Sequence, residues 1–336
     1  MSNRTEGGLT AAEKVADVCE AGDAKIRGAA ALALALVGIA SASILLVIAE
    51  QEISPYAATF DRLSLAAVLF FFWAGRQRLS NRTSSKAPRS QLSPELRLSD
   101  AGLLLMAGLA FSTSLTLWAW SLSQTSVANS TLLNNMMPIF TTLGAWVVFN
   151  QTFSRKFLLG MGIAIAGALL IGVEDLQVAD GLAGDAAALA AALLSAVNIL
   201  CIGQLRQRFA TPWIMLWTSL IGSCFLAIVL WGLQDQAFPH SATGWLAVIA
   251  LALLSQALGQ GLLTYCLKQF SAGFVAVSML TIPVLAAVAA LICFGERLSW
   301  LNWAAFGIVL LGVYLAVSAQ DSDDAVNRVT VMANKV

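Results

Sequence analysis

Charged residues make up only 11% of this 336-residue chain, and histidine occurs once, at His240. Soluble domains carry roughly 25% charged and about 45–50% apolar residues, whereas the apolar fraction here is 58%. A soluble fold has no way to hide that much apolar surface, so lipid is the solvent for most of the chain. A single histidine argues against the common His-rich metal sites, and neither a metal nor a cofactor is expected. The net charge is zero, and no basic run interleaved with aromatics points to nucleic acid. The five cysteines (Cys19, Cys201, Cys224, Cys266 and Cys293) form no CxxC or paired spacing. Four of them lie in apolar segments, where a thiol acts as a small hydrophobe. The first 25 residues lack an apolar core, so no cleavable signal peptide is expected. Thr10 and Glu13 form a capping box, which predicts a short amphipathic helix through Val18 at the cytoplasmic surface, inside a segment 1–27.

Against these absences stands a repeat. The second half matches the first at an offset of 145 residues: Pro138 with Pro283, Leu122 with Leu267, Gln124 with Gln269, Ser126 with Ser271, Gly162 with Gly307, and Gly167 with Gly312. Trp120 falls on Tyr265. Duplicated blocks of membrane helices build many secondary transporters, because two halves facing opposite ways alternate access to a site between them.

A span needs about 20 apolar residues to cross roughly 30 Å of hydrocarbon. Ten segments qualify: 28–49, 55–74, 100–121, 127–149, 156–174, 183–204, 212–232, 243–266, 272–294 and 300–319. With the N-terminus in the cytoplasm, every one of the 19 Lys and Arg residues except Arg62 and Arg297 falls on the cytoplasmic side, the bias expected of a multi-pass protein. Both termini are therefore placed in the cytoplasm, with 320–336 as a tail. Each half then holds an odd number of spans, so the halves must be inverted. The expected fold is an all-α integral membrane protein with ten transmembrane helices in two inverted five-helix repeats, 28–174 and 183–319.

Several polar residues sit inside these spans. Pro138 and Pro283 lie about 16 Å into theirs by helix rise, close to the midplane, where a proline removes a backbone donor and frees the carbonyl four residues earlier. Paired hinges flanking a cavity are expected there, with static kinks as the alternative. Asn134 and Asn135 precede Pro138 and are costly to bury without a ligand or a neighbouring helix. Gln256 and Gln260 share a face of span eight at i, i+4. Asn198 pairs with Ser195 on span six, and Thr116 and Trp120 belong to a stripe on span three. Trp120 and Tyr265 serve either as solute-packing rings or as interface aromatics. Arg62, about 10 Å into span two, pairs either with a substrate carboxylate or with a structural partner, or snorkels. Asp61 is the only deeply placed carboxylate.

The combined pattern resembles the drug/metabolite transporter superfamily, in its ten-helix EamA-type branch. The residues that carry the resemblance are Ile53-Ser54-Pro55 with Arg62, and Trp120-x-Leu122-x-x-x-Ser126 leading to Pro138. Gly184-Asp185, Tyr265-x-Leu267-x-x-x-Ser271 leading to Pro283, and Gly295-Glu296-Arg297 complete it. The resemblance covers roughly 28–319 and implies a central cavity and movement of small metabolites, often outward. Two departures stand out. Asn150-Gln151 occupies the place of a common Gly-Glu, and span one reads Gly38-Ile39-Ala40-Ser41 where Trp-Gly is usual.

The expected function is a secondary transporter for a small polar metabolite, an amino acid or similar, by alternating access and in the export direction. A membrane-embedded solute sensor is the alternative. An intramembrane enzyme is disfavoured, since no nucleophile–base pair, paired carboxylates or metal motif is present. The implied partners are the solute and the bilayer, with a prokaryotic inner membrane as host. A proton or another ion as coupling partner, and the oligomeric state, stay open.

Overall fold

The computed structural model describes residues 11–83, 97–125, 127–172, 181–294 and 299–333. Gly295-Glu296-Arg297, Ser126, and the loop cations Lys86 and Arg89 lie outside the described residues. Among those described there is no strand. The chain is an all-helical membrane protein, and among the described residues eight helical stretches, two of them made of successive shorter helices, are long and apolar enough to cross a membrane.

In chain order the helices are α1 (Ala11–Ala49), α2 (Pro55–Thr83), α3 (Leu98–Gln124), α4 (Val127–Asn134), α5 (Met137–Phe149), α6 (Arg155–Gly172), α7 (Leu182–Leu205), α8 (Thr211–Leu233) and α9 (Ala242–Ala250). A π-helix, Leu251–Gln260, continues α9 into α10 (Gly261–Cys266), followed by α11 (Ala272–Met279), α12 (Thr281–Phe294) and α13 (Trp300–Ala333). The span expected at 127–149 is thus two short helices, and that at 156–174 is the 18-residue α6.

One expectation changes here. The short surface helix ending at Val18 is instead the start of α1, which runs unbroken from Ala11 to Ala49. No proline interrupts residues 11–28, and Gly22 and Gly28 each cost only about 1 kcal/mol against alanine, too little to end a helix flanked by good formers.

The packing follows the repeat. Helices α2 and α8 pack together, as do α6 and α13, and α5 and α11. The remaining large contacts come in matched pairs: α1 with α9 and the π-helix, α7 with α3; α1 with α12, α7 with α5. Each half therefore lends its first helix to the other half. The 145-residue offset holds for the last three spans of each half. Pro55 and Pro212, which open α2 and α8, are 157 residues apart, because the connection from α2 to α3 is longer than that from α8 to α9.

Small residues allow the close approaches, since lipid gives helices no hydrophobic reason to associate and tight van der Waals contact must serve. A Cβ on Gly312 of α13 would lie 2.2 Å from the Ala164 nitrogen of α6, and one on Gly160 would lie 2.5 Å from the Ala316 nitrogen. Between α1 and the π-helix, a Cβ on Gly38 would lie 2.8 Å from the Leu254 carbonyl oxygen. Ala187, Ala188, Ala191, Ala192 and Ala196 bury one face of α7 in the same way.

Polar clasps join the halves at the two ends of the bundle. At one end the Glu52 carboxylate accepts the backbone N–H of Ser241 at 3.0 Å and of His240 at 3.1 Å, together with the Ser241 hydroxyl. Ser241 in turn caps α9 by accepting from the Gly244 N–H at 3.0 Å. These bonds to the charged form, the Ser241 hydroxyl first, hold the Glu52 carboxyl below the usual carboxylate range. At the opposite end Arg208 donates to Asp100, whose carboxylate also accepts the Arg97 N–H at 3.1 Å. Nearby, buried Arg206 donates to the carbonyls of Thr264 at 3.0 Å and Phe209 at 2.6 Å.

Candidate functional site

The fourth and ninth spans are each broken at the matched proline. Helix α4 ends at Asn134, and α5 starts at Met137 with Pro138 as its second residue. Helix α11 ends at Met279, Leu280 forms the turn, and Pro283 is the third residue of α12. The cause is local: a proline has no N–H to offer and its ring crowds the carbonyl of the previous turn, whereas the first turn of a new helix accommodates both properties. Pro138 is buried and Pro283 half-buried.

At the first break Asn134 is half-buried, and its Oδ1 is enclosed without a hydrogen-bond partner. Asn135 sits in the turn itself, with its backbone N–H donating to Thr131 at 3.0 Å. The two breaks lie on neighbouring spans, since α5 packs on α11. A Cβ on Gly273, near the start of α11, would meet the Phe153 ring at 2.9 Å.

Gln256 and Gln260 lie in the π-helix. Gln256 is 2% exposed and its Oε1 has no partner; Gln260 is half-buried. A π-turn spaces hydrogen bonds at i→i+5 and is frequent at functional sites. This one faces α1 at its closest approach, where Gly38 and Gly259 meet.

On α2, Asp61 and Arg62 are 3% and 5% exposed. The Arg62 guanidinium lies 6.0 Å from the centre of the Phe111 ring on α3, and its Nε has no partner. Ser219 of α8 is also fully enclosed, with an unpartnered hydroxyl. Orphaned buried polar atoms are uncommon in folded proteins. Here Asp61, Arg62, Ser219, Gln256 and Asn134 each carry one, and α2 packs against both α8 and the π-helix.

The other sequence candidates are placed differently. Asn198 donates its amide to the Ala107 carbonyl at 2.9 Å, tying α7 to α3. Beside it Ser114 bonds the Ala191 carbonyl at 2.8 Å and the Ser195 hydroxyl at 2.6 Å. Thr116 donates to the Ser112 carbonyl of its own helix at 2.9 Å. Trp120 is 39% and Tyr265 41% exposed, and the Tyr265 hydroxyl accepts from Gln269 at 3.0 Å. The structure therefore brings together Arg62 and Gln256 on packed helices, leaves Asn134 at the first break, and directs Asn198 into helix packing. Trp118 and Ser219, which also carry orphaned atoms, are not singled out by sequence. Their only sequence signal is a polar group inside an apolar span, which most interfacial residues share.

At the Glu52 end, a cleft of about 810 Å³ is lined by Phe60, Trp231, Asp235 and Phe238 among others. Among the described residues no group of three or more His, Cys, Asp or Glu side chains is placed to hold a metal ion.

A family model described as the EamA-like transporter family matches residues 26–173 and 182–318, one copy for each half. Solute carrier family 35 member G1 of Mus musculus is 24% identical over 189 residues, 52% of this chain and 50% of that protein. A protein of Salmonella typhimurium named "Probable amino-acid metabolite efflux pump" is 27% identical over 187 residues, 52% of this chain and 62% of its own length. The chain spans about half to three fifths of the length of these relatives. One solved crystal structure superposes with a TM-score of 0.73 over 88% of this chain and 98% of its own, at 14% identity, which bears on the fold alone.

Proposed function

The chain belongs to the EamA-like transporter family, and from that premise we propose that it is a secondary transporter which exports a small polar metabolite, an amino acid or a close relative. The observation that carries this reading is the pair of broken helices at Pro138 and Pro283, packed together through α5 and α11, with the orphaned Asn134 oxygen at the first break. Irregular backbone at membrane depth is stable only where it is buried in protein or lines a watery cavity, and helix breaks near the centre of inverted repeats are a recurrent way to build a solute site. Uncharged amides suit a zwitterion or amide. Arg62 supplies a cation for a solute carboxylate. The name of the Salmonella relative supports the same solute class.

In this reading the repeats 28–174 and 183–319 alternate access to the site, with Pro138 and Pro283 as hinges. Arg62, Asn134, Asn135, Gln256 and Gln260 are the lining residues. Thr116, Trp120 and Tyr265 contribute at the periphery, and Asn198 supports the wall through α3. The distribution of Lys and Arg supports cytoplasmic termini in this reading, and a prokaryotic inner membrane is the proposed host.

The test is counterflow in liposomes with a panel of labelled amino acids and other small metabolites, and no imposed ion gradient. Accumulation of one solute class, weakened by Gln256→Leu and Asn134→Leu in a protein that still folds, supports transport and the site together. Accumulation untouched by either change moves the site elsewhere. Saturable binding without any flux returns the chain to the solute-sensor reading.

A further inference from the structure

Among the orphaned atoms, one belongs to a carboxyl group for which the described helices packed around it offer no facing cation. Asp61 is 3% exposed, and its Oδ2 has no hydrogen bond. It is the seventh residue of α2, roughly 9 Å from the helix start by rise. Helix α2 packs against α8, α9, the π-helix and α3, with a slighter contact to α1. Helix α8 brings no charged side chain and, of titratable groups, only the exposed thiol of Cys224. The α9 segment and the π-helix bring none. Helix α3 brings only Asp100, at the far end and paired with Arg208. Helix α1 brings none between residues 28 and 49. The one charge beside Asp61 is Arg62, which points about 100° away around the helix and rests over the Phe111 ring. The ring face accounts for part of that cation's stability. An enclosed carboxylate with a free oxygen must be neutralised by a proton or by a cation from outside the chain.

We propose that Asp61 is the proton-binding group of the transport cycle, and that a proton and the ammonium group of the solute compete for its carboxylate. The inference rests on the transport reading above. With solute absent, a proton occupies the carboxyl and leaves Arg62 over Phe111. A zwitterion that enters places its carboxylate on Arg62 and its ammonium on Asp61, and the displaced proton passes to water on the side from which the solute came. After release of the solute on the far side, Asp61 takes a proton from water there and carries it back. Each cycle exchanges one solute for one proton moving the other way, so an inward proton gradient drives export. Ser219, unpartnered and on the facing helix, supplies a hydroxyl for the water or solute that relays the exchange. Solutes without a cationic group do not displace the proton and are not coupled.

The test uses the full chain in liposomes loaded with a radiolabelled mixture of the standard amino acids, with the outside either at the luminal pH or one to two units more acidic. Wild-type efflux is expected to accelerate several-fold with the acid outside. Asp61→Asn is expected to bring the ratio of the two rates to about one, and Asp61→Glu, which keeps a carboxyl, to retain the acceleration with its pH midpoint moved. Acid-accelerated efflux in Asp61→Asn overturns the assignment, as does wild-type efflux indifferent to the gradient. Should Asp61→Asn carry no solute at all, Asp61→Glu decides: an active protein without acceleration overturns the proposal. Absence of wild-type counterflow sinks the transport reading itself, and so is told apart from failure at Asp61.

Discussion

Arg208 donates to Asp100 at 2.5 Å across 108 residues of sequence, joining the connection between α7 and α8 to the first turn of α3. Asp100 is 7% exposed at its side chain and Arg208 32%. The same carboxylate caps its own helix through the Arg97 N–H. Asp100→Ala removes both functions and is expected to cost about 1–2 kcal/mol, read as a lower thermal unfolding temperature in detergent. Arg208→Ala leaves the cap in place, loses only a partly exposed ion pair, and should cost less than about 1 kcal/mol.

The clasp at the other end answers to pH. Hydrogen bonds from Ser241 and His240 hold the Glu52 carboxyl below the usual carboxylate range. Its contribution is therefore fully present above that range and is lost as pH falls through the lower folded value. Burial pushes the neighbouring Glu50 carboxyl the other way, so the quantity to follow is the difference between wild type and Glu52→Gln. That difference in unfolding temperature should shrink toward zero on acidification; a gap that is constant down to strongly acid pH refutes the clasp.

Helix α6 contains its own control. Gly160 faces the α13 backbone, where a Cβ would sit 2.5 Å from the Ala316 nitrogen, while Gly162, two residues on, has nothing within 4 Å. Gly160→Ala must push two backbones apart and is expected to cost about 1–3 kcal/mol. Gly162→Ala should be neutral or gain up to about 1 kcal/mol from helix propensity. Thermal unfolding of the two single variants side by side decides it, and equal losses would mean that the α6–α13 contact is not tight.

Asn198→Leu separates packing from transport. Its amide ties α7 to α3 through the Ala107 carbonyl, a bond worth on the order of 1 kcal/mol between membrane helices. The variant should unfold at a lower temperature yet keep the wild-type apparent KM for whichever solute shows counterflow. A raised KM at unchanged stability would put Asn198 in the cavity.

Pro138→Ala restores a backbone donor where α4 and α5 separate. The rejoined helix should be more stable and the transporter slower by several-fold, a barrier change on the order of 1 kcal/mol. Counterflow at the wild-type rate would show the break to be a static kink.

The apolar runs made the spans legible, because each must satisfy its own backbone and cover roughly 30 Å of hydrocarbon. Pro138 and Pro283 announced the two breaks for an equally local reason. The π-helix was not legible. Leu251–Gln260 reads as an ordinary amphipathic stretch, and its widened coil accompanies a backbone-to-backbone approach of Gly38 and Gly259, residues more than two hundred positions apart. Asn198 shows the same limit. A buried amide looks alike whether it meets a solute or the Ala107 carbonyl, and only the packing of α7 on α3 distinguishes the two. Glu52, which reads as a loop charge, bonds Ser241 at a separation of 189 residues.

The exchange of first helices between the halves bears on how the protein is made. When α1 enters the bilayer, its main partners, α9, the π-helix and α12, have not yet been translated. The close-packing face around Gly38 must wait in lipid, or in the care of the insertion machinery, until the second half arrives. Synthesis of the first half alone would therefore strand an unfinished surface. Two separately expressed halves should mature only when they meet in the same membrane.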